Sequence, residues 1–256
     1  MGRGKLRRFR DFVRRLRQQL QPPSLRSEAI DPRETDLANR NGYAPFPAVL
    51  VISTERSGLN LIRHAVEYAG HCRTPGKTHL LKTGPLAFHR THWVNTSTIS
   101  PGRTPVLGSD GQPLYSRLML LLRDPREILP RAYAGQLERM ADYCDNLRAF
   151  HDFTGEKLLI VYDELISDDA LFQRIFTFLG LGEELQLEQV PEIRATSVAW
   201  YQANQAKGGG SQTQGSTQAL RQHQQQLTAD QLEALRRYLD DHLGDLVPQY
   251  LSRWLA

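Results

Sequence analysis

With 256 residues, 40% hydrophobic and 23% charged content, the chain has an ordinary globular composition and enough length for one large domain with a buried core. No apolar run approaches the roughly 20 residues needed to span a bilayer as a helix. Two cysteines, Cys72 and Cys144, are too few for a disulfide framework, and no Cys and His residues take zinc-binding spacings, so a reducing cytoplasmic setting without a structural metal is expected.

The net charge of +4 is unevenly spread. Residues 1–21 hold eight Lys or Arg (Arg3, Lys5, Arg7, Arg8, Arg10, Arg14, Arg15, Arg17) against Asp11, a local charge of +7 that leaves about −3 for the rest. The basic pI therefore describes an arm and does not indicate a nucleic-acid-binding body. Leu6, Phe9, Phe12, Val13, Leu16 and Leu20 recur three or four apart, which predicts a basic amphipathic helix over residues 1–23 that ends at Pro22-Pro23. Such a helix can lie on an anionic membrane surface, pack its apolar stripe on the domain, or bind a partner. The arm lacks the apolar centre and cleavage site of a secretory signal, and Leu6 stands where a myristoylation motif has Ser or Thr.

Residues 24–46, polar and punctuated by proline, read as a linker or irregular wrap, and the main domain is expected over residues 47–256. Ala48 to Ile52 is a short apolar run fitting a strand buried on both faces. After a polar turn around Arg56-Ser57-Gly58, Leu61, Ile62, Ala65, Val66 and Ala69 predict a helix up to Gly70. The turn thus lies at a helix N-terminus, where free N–H groups and the positive end of the helix dipole favour an anion. Ser53, Thr54, Arg56 and Ser57 supply further donors. Leu86 to Phe88 reads as a short strand, and Pro101 to Pro113, rich in Gly, Pro, Ser and Thr, as a surface loop or lid outside the core.

Leu118 to Leu122 is a second buried strand, followed by Asp124 as a helix cap and Pro125 at the first helical position. Ile128, Leu129, Ala132, Tyr133, Leu137 and Met140 continue it as one helical stripe. A third strand, Leu158 to Tyr162, leads through Asp163-Glu164 to a helix over about Asp169 to Leu179 that stops at glycines 180 and 182. Gln205 to Gly215 is flexible by composition, either a linker or a flap bringing Lys207 and the N–H groups around Gly208 onto a phosphate. Leu227, Thr228, Gln231 and Leu232 announce a last helix through a hydrophobic staple and capping box. Three strand-turn-helix units argue for an α/β class, a three-layer α/β/α arrangement around a mainly parallel sheet, with ligands at the carboxyl ends of the strands.

Taken together, these motifs resemble the sulfotransferase family, enzymes that use 3′-phosphoadenosine 5′-phosphosulfate as sulfuryl donor on a P-loop-like fold. Ser53-Thr54-Glu55-Arg56-Ser57-Gly58-Leu59-Asn60 is similar to the family's phosphosulfate loop. Leu122-Arg123-Asp124-Pro125-Arg126-Glu127 is similar to its 3′-phosphate strand end. Tyr162-Asp163-Glu164-Leu165 with Phe178-Leu179-Gly180-Leu181 is similar to its third segment. The resemblance covers residues 46 to 182, and roughly the last 75 only loosely.

The resemblance implies that residues 53–60 hold the 5′-phosphosulfate and that Arg56 stabilises the leaving phosphate, with no bound metal. Arg123 would clamp the 3′-phosphate, and Arg131 stands where the family has a serine that helps; Tyr162 either helps hold the nucleotide or packs. A base in a Lys-Thr-His motif would take the acceptor's proton, and the chain offers Lys77-Thr78-His79 and Arg90-Thr91-His92. His92 is preferred because a predicted strand precedes it; His79 matches the letters better. The acceptor, a hydroxyl or amine on a carbohydrate, lipid or small metabolite, is not named by the sequence. Its pocket is expected in loops at His71 to Tyr115 and Gln189 to Gly215. Two other readings stand beside this one. A P-loop kinase shares the strand-turn-helix, although the turn lacks Gly-x-x-x-x-Gly-Lys-Ser/Thr, and a non-catalytic scaffold could dock through the basic helix.

Overall fold

A computed structural model describes residues 48–54, 56–75, 86–95, 104–107, 112–206 and 227–255. The amphipathic arm and linker at residues 1–46, Glu55, His79, Lys207 and Gly208 lie outside the described residues. Its central sheet has four parallel strands in the order β2-β1-β5-β6, namely β1 (Val49–Ser53), β2 (His89–Thr91), β5 (Arg117–Leu122) and β6 (Glu156–Val161). Two further strands, β3 (Val94–Asn95) and β4 (Thr104–Pro105), pair with each other in parallel. The chain leaves β1 toward β2 on one side and then supplies β5 on the other. Strand order therefore reverses at the β1/β5 boundary, where parallel sheets open a crevice at their carboxyl ends.

Helices cover both faces because neighbouring strand residues point opposite ways. On one face Leu50, Ile52, Leu118, Leu120 and Leu122 meet α2 (Pro125–Ala132), α3 (Met140–Asp152) and α7 (Ala229–Leu243) through Ile128, Leu129, Leu147, Leu235 and Leu239. On the other, Val49, Val51, Met119 and Leu121 meet α1 (Leu59–Tyr68) and α5 (Ala170–Leu179) through Ile62, Val66, Phe172 and Phe176. Each of the three expected strands is followed by a helix, the Asp124 cap is present, and Thr228 and Gln231 form the reciprocal capping box that starts α7. Short helices α4 (Tyr162–Ser167), α8 (Leu246–Tyr250) and α9 (Ser252–Leu255) and the long α6 (Val190–Ala206) complete the described α-helices, with single 3-10 turns at Leu137–Arg139 and Leu187–Gln189. Among the described residues no helix is long and apolar enough to cross a membrane.

Five expectations are corrected. The stripe from Ile128 to Met140 is two helices: Pro130 removes an N–H from α2, and Ala134 (φ 53°) and Gly135 (φ 80°) turn the chain left-handed before α3. Within the segment 101–113, the described residues 104–107 do enter the core, since Thr104 and Val106 are buried and β4 pairs with β3. Tyr162 is the first residue of α4 and not the last of a strand, and residues 190–206, expected to be an acceptor loop, form α6. The strand before His92 is His89–Thr91 instead of Leu86–Phe88; Leu86 makes only an isolated bridge to Arg73.

Candidate functional site

The turn after β1 is closed by Thr54, whose carbonyl accepts from the Ser57 N–H at 3.3 Å and the Ser57 hydroxyl at 2.7 Å. Arg56 follows with φ 69°, a left-handed conformation costing a non-glycine residue roughly 1–2 kcal/mol. Gly58, at φ 95°, is the cap of α1. A Cβ there would lie 2.9 Å from side-chain carbons of both Tyr162 and Leu165, so glycine is required by conformation and by the roof above it. α1 has no side-chain cap and no acidic residue in its first turn, leaving its leading N–H groups for a ligand. The Thr54 hydroxyl is buried and partnerless among the described residues. A left-handed turn, open N–H groups and a spare hydroxyl fit a phosphate-bearing ligand.

At the end of β5, Arg123 is 3% exposed. Its Nη1 donates to the Arg56 carbonyl at 2.7 Å, and its guanidinium stacks on the Tyr162 ring, 3.8 Å from the centroid. Nε donates to the Glu127 carboxylate at 2.7 Å, and Nη2 donates to the same oxygen. Arg131, one turn further on, reaches that oxygen at 3.4 Å. Burial, followed by the nearby Arg123 charge, makes the Arg131 guanidinium easier to deprotonate than usual, and the Arg56 charge adds to this. Asp124 is engaged elsewhere, accepting from both the backbone and the side chain of Arg126 at 2.8 Å. Arg123 and Arg131 thus share the Glu127 carboxylate, and the Arg56 charge is near enough to be felt at Arg131. A partly buried surplus of positive charge of this kind favours an anion.

His92 follows β2 directly. Its Nδ1 lies 2.6 Å from the Ser53 carbonyl, which can only accept, so Nδ1 carries the proton and Nε2 holds the lone pair. Arg90 Nη1 donates to Nε2 at 3.2 Å. The loop is pinned from α3 by Asn146, 1% exposed, whose amide donates to the His92 carbonyl at 2.9 Å and accepts from the Val94 N–H at 3.2 Å. A second residue of α3, the buried Tyr143, donates its hydroxyl to the Arg123 carbonyl at 3.0 Å. Burial raises that phenol well above its usual range, keeping it protonated as the donor.

The structure therefore brings Ser53, Thr54, Arg56, Ser57, Gly58, His92, Arg123, Arg131 and Tyr162 to the same end of the sheet. Two other predicted residues contribute less than expected. Leu59 buries its side chain in the core, and the Asn60 side chain accepts from Arg63 at 3.2 Å, so each offers its backbone N–H. Sequence reasoning placed Glu127 in the second motif without a role, and missed Asn146, Tyr143 and the Arg90 contact. Arg123, Glu127 and Arg131 are spaced four apart on one helical face, a legible signal, and Asn146 is a polar residue set between the buried Tyr143 and Leu147 and Phe150. In comparisons with known proteins, the chain matches no family model and no curated relative.

Proposed function

We propose that this protein transfers a sulfuryl group from 3′-phosphoadenosine 5′-phosphosulfate to a hydroxyl or amine of a carbohydrate, lipid or small metabolite, on the P-loop-like sulfotransferase version of its three-layer fold. The observation that carries this reading is the pair Arg123 and Arg131 on one carboxylate, tied through the Arg56 carbonyl to the turn after β1, at the β1/β5 strand ends beside an uncapped helix N-terminus. Two cationic strand ends side by side suit a nucleotide with phosphate at both its 5′ and 3′ positions. The turn also has no lysine of the kind that ATP-binding P-loops use.

The donor supplies an activated sulfur whose bond to a phosphate oxygen breaks as the acceptor oxygen or nitrogen attaches. Arg56 and the leading N–H groups of α1 stabilise charge on the departing phosphate. Because arginine stays charged, this help is electrostatic and involves no proton transfer. His92, with its proton on Nδ1 held by Ser53, receives the acceptor's proton on Nε2 once Arg90 swings away. His79 remains the competing base, and residues 1–21 the proposed contact with an anionic membrane.

The test is calorimetry with 3′-phosphoadenosine 5′-phosphate, followed by donor turnover against an acceptor panel for the intact protein, Arg56→Ala, His92→Ala and His79→Ala. Arg56→Ala is expected to lower turnover on the order of 10²-fold or more, as removal of an oxyanion donor does. His92→Ala should lower it about 10²- to 10⁴-fold while His79→Ala is nearly silent. Transfer from ATP with magnesium, without binding of the bisphosphate, would establish the kinase reading instead. Binding without turnover would leave a scaffold.

A further inference from the structure

The chain reversal that carries His92 is held through its own backbone. The Thr91 hydroxyl donates to the Trp93 carbonyl at 2.8 Å and accepts from the Trp93 N–H at 3.1 Å. That carbonyl also accepts from the Thr104 N–H at 2.9 Å. Asn146 then spans the reversal, donating to the His92 carbonyl at 2.9 Å and accepting from the Val94 N–H at 3.2 Å, so its amide has one possible orientation. Asn146 is 1% exposed and lies in α3 between Tyr143 and Leu147, both core residues. An aliphatic side chain at this position would pack without the cost of stripping water from an amide. What the amide alone supplies is a fixed geometry for residues 92–94.

We infer that Asn146 is a positioning residue for His92, and that α3 sets where this base stands relative to the nucleotide side of the site. The inference rests on the reading of His92 as the base. β2 and β5 flank β1 in the sheet, and α3 grips the chain just after each of them. Asn146 holds the backbone that follows β2. Tyr143, three residues earlier on the same helical face, donates to the Arg123 carbonyl just beyond β5 at 3.0 Å. Three residues of helix rise about 4.5 Å, so one rigid element fixes the spacing of the two strand ends on either side of the Arg56 turn. The His92 ring is oriented separately, because its Nδ1 is held by the Ser53 carbonyl of β1. Ring orientation thus comes from β1 and backbone position from α3. Loss of the Asn146 amide frees the second without removing the first, and without removing any group of the Arg56 turn.

The test uses the full chain and Asn146→Asp, which keeps the size of the side chain. As a carboxylate the new residue cannot donate to the His92 carbonyl; once protonated it offers a donor and an acceptor again. Burial raises its pKa above the usual carboxylate range, so the competent form returns as pH falls. Turnover is read with the fastest of methyl glucoside, para-nitrophenol and octanol as acceptor. In mildly alkaline buffer kcat is expected to fall roughly 10- to 100-fold, the penalty for misplacing a reacting group by up to about 1 Å. The ratio of variant to wild-type kcat should climb as pH is lowered, while calorimetry gives an unchanged affinity for 3′-phosphoadenosine 5′-phosphate. Tyr143→Phe should act on the other side, weakening that nucleotide and adenosine 5′-monophosphate alike by about 3- to 10-fold, because Tyr143 steadies the residue that bonds the Arg56 carbonyl. If a buried carboxylate prevents folding, Asn146→Ala puts no charge in the core and should show the same split between kcat and affinity. Wild-type kcat in either Asn146 variant, or a loss of nucleotide affinity as large as the loss of kcat, would overturn the inference. A wild-type protein without turnover, or undiminished turnover in His92→Ala, would overturn the base reading and the inference with it, a result distinguishable because α3 is then untouched.

Discussion

α1 and α2 each begin just after a central strand, at the same end of the sheet, yet they treat their N-termini in opposite ways. α2 is capped by Asp124, which takes the Arg126 N–H at 2.8 Å, and its first turn carries Glu127. Its dipole is answered from within, so only arginine side chains remain to meet a ligand there. α1 starts at a left-handed glycine with no side-chain cap and no acid. It follows a residue, Arg56, held left-handed by a bond from the other strand end. One helix start is finished by its own sequence, the other is left open and held open by its neighbour. Stability is concentrated at the first and binding capacity at the second.

The largest expected effect that would break this contrast comes from Gly58→Ala. The new Cβ meets Tyr162 and Leu165 at 2.9 Å in a backbone conformation that disfavours any side chain. A loss of about 3 kcal/mol in chemical denaturation is expected, with anion binding abolished; a stable protein that still binds would show that the turn can relax.

Acid comes next. Burial lowers His89, the first residue of β2 and level with Leu50 of β1, to a pKa of about 4, with its Nδ1 against the Tyr115 hydroxyl at 3.1 Å. The unfolded chain binds its proton near pH 6.5 and the folded chain only near 4. The stability contribution is therefore complete above about pH 6.5, is lost as pH falls through that window, and levels off below it. The total is on the order of 3 kcal/mol at most. Denaturation midpoints for wild type and His89→Gln between pH 7 and 4 measure it: the variant should show a shallower acid limb, and identical slopes would remove His89 from the account.

The smallest effect sharpens the other side. Asp124→Ala should cost about 1 kcal/mol, the usual worth of a cap, and leave affinity for the 5′-monophosphate at the α1 turn unchanged. A change in that affinity would mean that the two helix starts are not separable.

Local signals carried much of this arrangement, because strand-turn-helix units, the Asp124 cap and the Thr228–Gln231 box are each written within a few residues. What escaped depends on partners distant in sequence. Tyr133 and Met140 keep their helical spacing to Ile128 although the helix breaks between them, since the spacing records which side faces the core and not whether the backbone is continuous. α6 is only weakly amphipathic, so no periodicity announced it. Thr104 and Val106 looked like loop because their neighbours are Gly, Pro and Ser, and their burial is settled by β3. At the site, the cationic residues were legible by type, but the contact of Arg123 with the Arg56 carbonyl joins positions that only the sheet brings together.

The roof over the turn has a temporal consequence. Gly58 is packed by Tyr162 and Leu165, which follow β6, while the clasp from Arg123 follows β5. As the chain leaves the ribosome it can pair β1 with β5 and fasten Arg56, yet the guanidinium has no ring to rest on until β6 and the first turn of α4 emerge. The turn's final shape is thus a late acquisition in the life of the nascent chain, arriving when the sheet is completed and not when the turn itself has been synthesised.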